Sequence, residues 1–362
     1  MNQPPTVAVL TEIFEKDSHV HFGSIHDFCE ELANYSMQRQ SIFYVTSLSM
    51  YVKNEKSGYR WIEGEWRKTE VPPANVIYNR LHSRKSEHSY LFDQLIEKLK
   101  DERILMFNHR FLHKWEVHQY LANHSYLHPY LPKTELFRDK QTLDSFFTQF
   151  PVVFIKPIHG SQGRHIFRIE KKENGFLLDY STSMKDAVQQ YASTSALFAS
   201  LKERLKSAAV IQQGIDMKTI DGRPIDFRLL CHRVHDSEWR VTSAIARMAK
   251  QEQFVANLAR GGEIVPIDKV LQQWYERKKA FQQKMLLKDI AIEAATVLAS
   301  ETEGLYGEFG IDLAIDQEHK PWIIEVNTKP SKQTDMVASK RFIRPSAKAV
   351  IDYCLSLIDE KE

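Results

Sequence analysis

Apolar residues recur along this chain with several different periods, and each period predicts an element. Thr6–Leu10 reads as a short buried strand, DFCEELANYSMQRQ (27–40) carries helix-spaced apolar positions, and SIFYVTSL (41–48) returns to a strand. In GYRWIEGEW (58–66) large aromatics alternate with polar residues, and Gly64 stands where a hairpin would turn. NVIYN (75–79) predicts a further strand and EHSYLFDQLIEKLK (87–100) a helix. Strand, helix and strand in this order predict a small α/β domain over residues 1–108.

A second unit opens at 109. Leu112, Trp115, Tyr120 and Leu121 predict an apolar helical face, and Pro129 and Pro132 mark its exit. VVFIKPIHGSQGRHIFRIE (152–170) reads as strand, glycine-containing loop, strand, and residues 183–207 read as mostly helical. AAVIQQGID (208–216) starts a third section. FRLLCHRV and WRVTSAIARMA read as paired strands with Asp236 and Ser237 in the turn, and residues 278–301 have the apolar spacing of a long core-facing helix. FGIDLAI and PWIIEVN then face one another across DQEHKP. The divisions expected are 1–108, 109–208, 209–345 and a C-terminal helix over 346–362.

Composition narrows the class. The chain has 362 residues, 43% hydrophobic and 27% charged, which is enough for two or three packed domains. Forty-nine Lys and Arg against 47 Asp and Glu leave a formal charge of +2, no general field for nucleic acid, and nucleic-acid binding is not expected. Cys29, Cys231 and Cys354 are scattered and odd in number, which fits a reducing compartment. The N-terminus lacks a basic segment and an apolar core of the signal-peptide kind, and no run reaches the roughly 18 apolar residues of a membrane span. A soluble, cytoplasmic protein without membrane insertion is expected.

Two stretches carry candidate chemistry. In FIKPIHGSQGR, Lys156 ends a strand and Gly160 and Gly163 make the following turn able to wrap backbone N–H groups around phosphate, although a lysine snorkelling to solvent from a plain hairpin reads similarly. The spacing is neither GxxxxGK[ST] nor GxGxxG. In EVN, Glu325 and Asn327 share one strand face, and the hairpin can bring Asp312 opposite them. Two carboxylates and an amide oxygen suit magnesium or manganese, and acid among Ile311, Leu313, Ile323, Ile324 and Val326 must be paired or metal-bound. Asp226 and Arg228 share a strand face and could neutralise one another, Arg247 could be an exposed strand residue, and Asn257 a helix cap. His113, His118, His124 and His128 surround a helix and its exit, and Cys231 and His232 point to opposite strand faces, so no zinc site is expected.

In their order, these motifs resemble the ATP-grasp superfamily, and the chain, with VIYNRLHSR (76–84), resembles its endospore coat-associated YheC/YheD branch. The resemblance implies an ATP-grasp fold of α/β (α+β) class, with the nucleotide between two α+β subdomains behind a small α/β N-terminal domain. It implies that Lys114 and Lys156 reach ATP phosphates and that Gly160, Ser161, Gln162 and Gly163 cover them. Gln212, Gln213, Gly214 and Ile215 would form the hinge along the adenine, where many relatives have glutamate at the position of Gln213. Arg228 and Arg247, with Asp226, Asn257 and the Gly261-Gly262 turn, would serve the acceptor and phosphates, and Asp312, Glu325 and Asn327 would hold Mg2+ (or Mn2+). The activity implied is ATP-dependent joining of a carboxylate to an amine or other nucleophilic acceptor through an acylphosphate. A non-catalytic nucleotide-binding spore coat protein with coat partners is the second reading, and a kinase-like phosphotransferase the third.

Overall fold

A computed structural model describes residues 4–17, 19–160, 165–180, 188–235, 238–250, 261–332 and 343–360. Three sheets carry the chain. The first has the order β6-β5-β4-β1-β7-β8, from β1 (Thr6–Leu10), β4 (Ile42–Thr46), β5 (Ser57–Ile62), β6 (Glu65–Glu70), β7 (Val76–Asn79) and β8 (Leu105–Phe107). Its β4, β1, β7 and β8 run parallel, whereas β5 and β6 form the expected aromatic hairpin. A two-stranded ribbon, β2 (Phe14–Lys16) with β3 (His19–His21), leads into α1 (His26–Gln38). Helices α2 (Leu48–Val52), α3 (Arg84–Glu87) and α4 (Tyr90–Asp101) complete this unit. Phe92, Leu95 and Leu99 of α4 recur at three- and four-residue spacing and fill the core on one face of the sheet, with Ala8 and Ile77.

The second sheet is antiparallel, in the order β13-β12-β11-β10-β14-β9. Its strands are β9 (Thr134–Phe137), β10 (Val152–Pro157), β11 (Phe167–Lys172), β12 (Gly175–Tyr180), β13 (Gln189–Tyr191) and β14 (Ala209–Gln213). Helix α5 (Lys114–Ala122) precedes it, and α6 (Lys140–Gln149) and α7 (Thr194–Arg204) cover it through Leu143, Phe146, Leu197 and Leu201. The third sheet has the order β18-β17-β16-β19-β20, with β15 (Thr219–Ile220) on β16. Here β16 (Arg223–His235), β17 (Glu238–Met248), β18 (Glu263–Pro266), β19 (Glu308–Ile315) and β20 (Pro321–Asn327) pack on α8 (Ile267–Trp274) and the long α9 (Arg277–Glu301). Helix α10 (Pro345–Asp359) closes the chain. No helix among the described residues is long and apolar enough to cross a membrane.

Several sequence expectations change. Strand β14 pairs with both β10 and β9, so the crossing to the third sheet follows Gln213 rather than residue 208. The stretch read as mostly helical contains β13, because its QQY hydrogen-bonds to β12, and the helix begins only at Thr194. Helix α5 starts at Lys114 and buries Val117 and Leu121, while Leu112 is buried ahead of it. That face joins the core of the third sheet, with Phe227 and Leu298, although α5 stands before the second sheet in sequence. Helix α10 is no appendage: Val350, Ile351, Tyr353 and Cys354 share a core with Val7, Val45 and Phe28. Cys231 is fully buried.

Candidate functional site: a charged cleft among the three sheets

A cleft of ≈ 870 Å³ takes its walls from all three sheets. From the second sheet comes Lys156, buried on β10, whose Nζ donates to Gln212 Oε1 at 2.5 Å. Gln212 Nε2 donates in turn to Thr134 Oγ1 at 3.0 Å, so its amide oxygen is fixed toward the lysine. Burial pushes the Lys156 ammonium down to about 8, partly offset by the charge of Glu325. Lys114 is the first residue of α5, whose start is closed by a reciprocal cap. The His113 ring accepts from Glu116 N at 3.1 Å, and the Glu116 carboxylate accepts from His113 N at 3.3 Å. Lys114 Nζ then bridges the Gly160 carbonyl and Glu325 Oε1, the latter at 3.0 Å. Ser161, Gln162, Gly163 and Asn257 lie outside the described residues.

The hinge between the sheets is a length of backbone with its hydrogen bonds already assigned. Gln213 N donates to the Lys133 carbonyl and Gly214 N to that of Val152, both at 2.8 Å. A Cβ at Gly214 would stand 2.7 Å from the Val152 carbonyl oxygen, so this close approach requires glycine. Ile215 faces the cleft, and by Lys218 the chain is bonded to Ile315 of the third sheet.

The opposite wall is a cross-strand ladder of charge. Register sets Asp226 against Arg247, Arg228 against Asp312, and Asp312 against Glu325, across β17, β16, β19 and β20. Asp226 and Arg228 therefore share a face without pairing to one another. Arg247 Nε and Nη2 donate to the two Asp226 oxygens at 2.6 and 2.7 Å, and Nη2 also lies 3.0 Å from Asp312 Oδ2. Arg228 donates through Nη2 to Asp312 Oδ2 at 2.7 Å and through Nε to Oδ1. Arg247 is buried, contrary to an exposed strand position. Burial pushes the Asp312 carboxyl up, but Arg228 and Arg247 outweigh it and hold the group below its ordinary range. Burial raises Asp226, which shares its one guanidinium with Asp312.

Asp312, Glu325 and Asn327 offer two carboxylates and an amide on adjacent strands, a hard-oxygen donor set fitting magnesium. Asn327 Nδ2 is buried without a partner, which leaves this amide uncommitted on the nitrogen side. Among the described residues no three His, Cys, Asp or Glu side chains are grouped so as to hold a metal ion. Both Asp312 oxygens face arginines, and a divalent cation would compete with Arg228 and Arg247 for them.

Sequence reading missed two buried charge clusters beside this wall. Glu308 on β19 accepts from Arg80 Nη1 at 2.6 Å, Tyr78 Oη at 2.7 Å and Asn108 Nδ2 at 2.9 Å, and it pairs with Lys332. It ties the first sheet and the segment after β20 to the third sheet. Lys329, two residues beyond Asn327, pairs with Glu87 of α3, and burial pushes its ammonium down to about 8. The signal was present for both: an acid in an apolar strand, and lysines at 329 and 332 shortly after EVN.

Three comparisons accord with this geometry. A family model described as YheC/D like ATP-grasp matches residues 103–357. Endospore coat-associated protein YheD of Bacillus subtilis (strain 168) is 31% identical over 278 residues, 76% of this chain and 61% of that protein, so the match covers less than two thirds of its length. Endospore coat-associated protein YheC of the same organism is 24% identical over 281 residues, 77% of this chain and 76% of that one. Among solved structures, VanG D-Ala:D-Ser ligase from Enterococcus faecalis is similar with a TM-score of 0.55 at 10% identity, covering 98% of this chain and 100% of that one, a likeness of fold.

Proposed function

The chain belongs to the YheC/D-like ATP-grasp family and has the ATP-grasp fold, and from that premise we propose that it is an ATP-dependent ligase. It would join a carboxylate to an amine through an acylphosphate. The observation that carries this reading is the convergence of Lys114, Lys156, Arg228 and Arg247 on one cleft beside the Asp312, Glu325 and Asn327 donor set. Lys156 and Lys114 orient the nucleotide phosphates, and the 210–215 hinge lies along the base. Asp312, Glu325 and Asn327 would hold magnesium, which when bound neutralises charge on the polyphosphate.

Arg228 and Arg247 are held in place by Asp226 and Asp312 before substrate arrives, so little reorganisation remains when charge develops on the transferring phosphoryl group. The carboxylate substrate supplies the attacking oxygen and no protein nucleophile is needed in that step. Similarity to two endospore coat-associated proteins supports a place for this reaction in spore coat or envelope maturation, with coat proteins as partners.

The test is calorimetric titration of ADP with and without magnesium, followed by a screen of amino acids and peptides with hydroxylamine as the trapping amine. Magnesium-dependent binding, lost in folded Lys156→Ala and Glu325→Ala proteins, and ADP release with hydroxamate formation are expected. A folded protein that binds no nucleotide under either condition would refute the reading.

A further inference from the structure

The N-terminal wall of the cleft holds three side chains that the proposed ligation does not use. Strands β1 and β7 are parallel neighbours with Leu10 opposite Asn79, so the chain leaves both at the same sheet edge. Glu12 and His82 come from these two exits, the place where open α/β sheets gather functional side chains. Ser24 belongs to the short turn Gly23–Ile25 that leads into α1. Gly23 has a φ of +60°, and a Cβ on it would lie 3.8 Å from the His82 ring, so this turn brings Ser24 beside the imidazole.

The three side chains form a connected line. His82 Nδ1 lies 2.9 Å from Glu12 Oε2, and His82 Nε2 lies 3.0 Å from Ser24 Oγ. The Glu12 carboxylate also accepts from the backbone N–H of His82 at 2.9 Å and of Ser83 at 3.3 Å. Because Glu12 when ionised can only accept, the ring carries its proton on Nδ1 and presents the Nε2 lone pair to the serine hydroxyl. Burial pushes the Glu12 carboxyl up, but the hydrogen bonds from His82 outweigh it and hold the group at about 2, so it stays ionised. Ser24 and His82 are exposed, and both line the cleft.

A hydroxyl bonded to a base, and that base oriented by a carboxylate at the edge of a concave site, is the arrangement that activates a serine. We propose that Ser24, His82 and Glu12 form an acyl-transfer site in which Ser24 Oγ attacks an activated acyl group, an ester or an acyl phosphate. The Oγ–H proton passes to His82 Nε2 as the Oγ–carbon bond forms. The bond from the acyl carbon to the leaving oxygen breaks, and that oxygen departs with the electron pair, taking the proton back from the imidazolium where it is basic enough; otherwise the imidazolium gives that proton to solvent. Water then attacks the serine ester as neutral His82 accepts its proton, the Oγ–carbon bond breaks, His82 returns the proton to Oγ, and Ser24 is restored as the free acid leaves. Arg84 and Lys85 line the same cleft, so the site shares it with cationic side chains. The site uses no nucleotide, so it stands or falls apart from the ligase reading.

The test uses the full chain without ATP, treated with a fluorophosphonate probe and, separately, with p-nitrophenyl acetate. A single phosphonyl adduct mapped to Ser24 and a burst of p-nitrophenolate are expected. Both should vanish in Ser24→Ala, an exposed position whose thermal unfolding should match the parent, and the labelling rate should fall about 100-fold or more in His82→Gln. An unlabelled Ser24, or labelling at the same rate in His82→Gln, would overturn the proposal and leave Glu12 as a loop cap for the N–H groups of residues 82 and 83.

Discussion

Nucleotide affinity should fall as pH rises through about 8, because Lys156 reaches the phosphates only as an ammonium. The group is buried on β10, where it donates to the neutral amide of Gln212, and burial brings it down to about 8. A phosphate ligand favours the protonated form, so binding strength is fully present below that value and lost above it. If the bound complex keeps the proton, the apparent association constant scales with the protonated fraction of the free protein. That fraction falls about eightfold between pH 7.5 and pH 9 for a group titrating near 8, which corresponds to about 1.2 kcal/mol. The assay is calorimetric titration with ADP at a constant, saturating magnesium concentration across the pH series. Lys329 titrates in the same range and lines the same cleft, and the control that separates the two is Lys156→Met. The variant should bind more weakly at pH 7.5 but with a nearly flat pH dependence. An equal slope in parent and variant would refute the assignment of this lysine to the phosphates.

The remaining predictions concern the frame of the cleft. Glu308→Gln keeps the shape of the side chain but leaves Arg80 and Lys332 buried without their counter-charge, so it should cost about 3–5 kcal/mol in urea denaturation. Burial opposes ionisation of Glu308, but Lys332 and Arg80 hold its carboxyl well below the ordinary range. Its stabilisation is therefore present above the unfolded carboxylate value and is lost as pH falls through the lower folded one, and that acid loss should be absent in Glu308→Gln. A cost under about 1 kcal/mol would show that the cluster is not the interdomain tie argued here. Gly214→Ala places a methyl group 2.7 Å from backbone at Val152, and should lower stability by about 1–3 kcal/mol and weaken ADP binding by distorting the hinge. Unchanged melting and ADP affinity would show that the hinge relaxes freely.

What the sequence made legible follows from how local each decision is. The FGIDLAI and PWIIEVN hairpin is readable because both strands are nearly all apolar and the turn between them is short, but register counted from the turn sets Asp312 opposite Ile324, and an irregularity between Asp312 and Leu313 brings Glu325 there instead. Partner choice for Asp226 and Arg228 was not readable. Two residues apart on one strand, they invite each other, yet a residue directly across the ladder stands about 4.5–5.5 Å away, nearer than the next same-face position along the strand. Arg247 and Asp312 take those closer places, and nothing within β16 itself specifies the register that brings them there. The packing of α5 and α10 was hidden in the same way: their apolar faces are visible in sequence, but the surfaces that receive them belong to elements far along the chain.

Glu308 shows where this reasoning reaches its limit. The rule that singled out Asp312, that acid in a buried apolar strand must be paired or metal-bound, applies equally to Glu308, four residues earlier in the same strand. One of these acids faces the cleft and the other a buried interface with the first sheet, and the rule alone assigns neither role. The two share a face of β19, so strand alternation gives no help in separating them. Their neighbours do: Tyr78 and Arg80, more than 200 residues away in sequence, arrive at Glu308 and close it off, whereas Asp312 keeps the cleft in front of it. A buried acid is thus recognised by the cost of burying it, but its function is decided by which distant element comes to meet it.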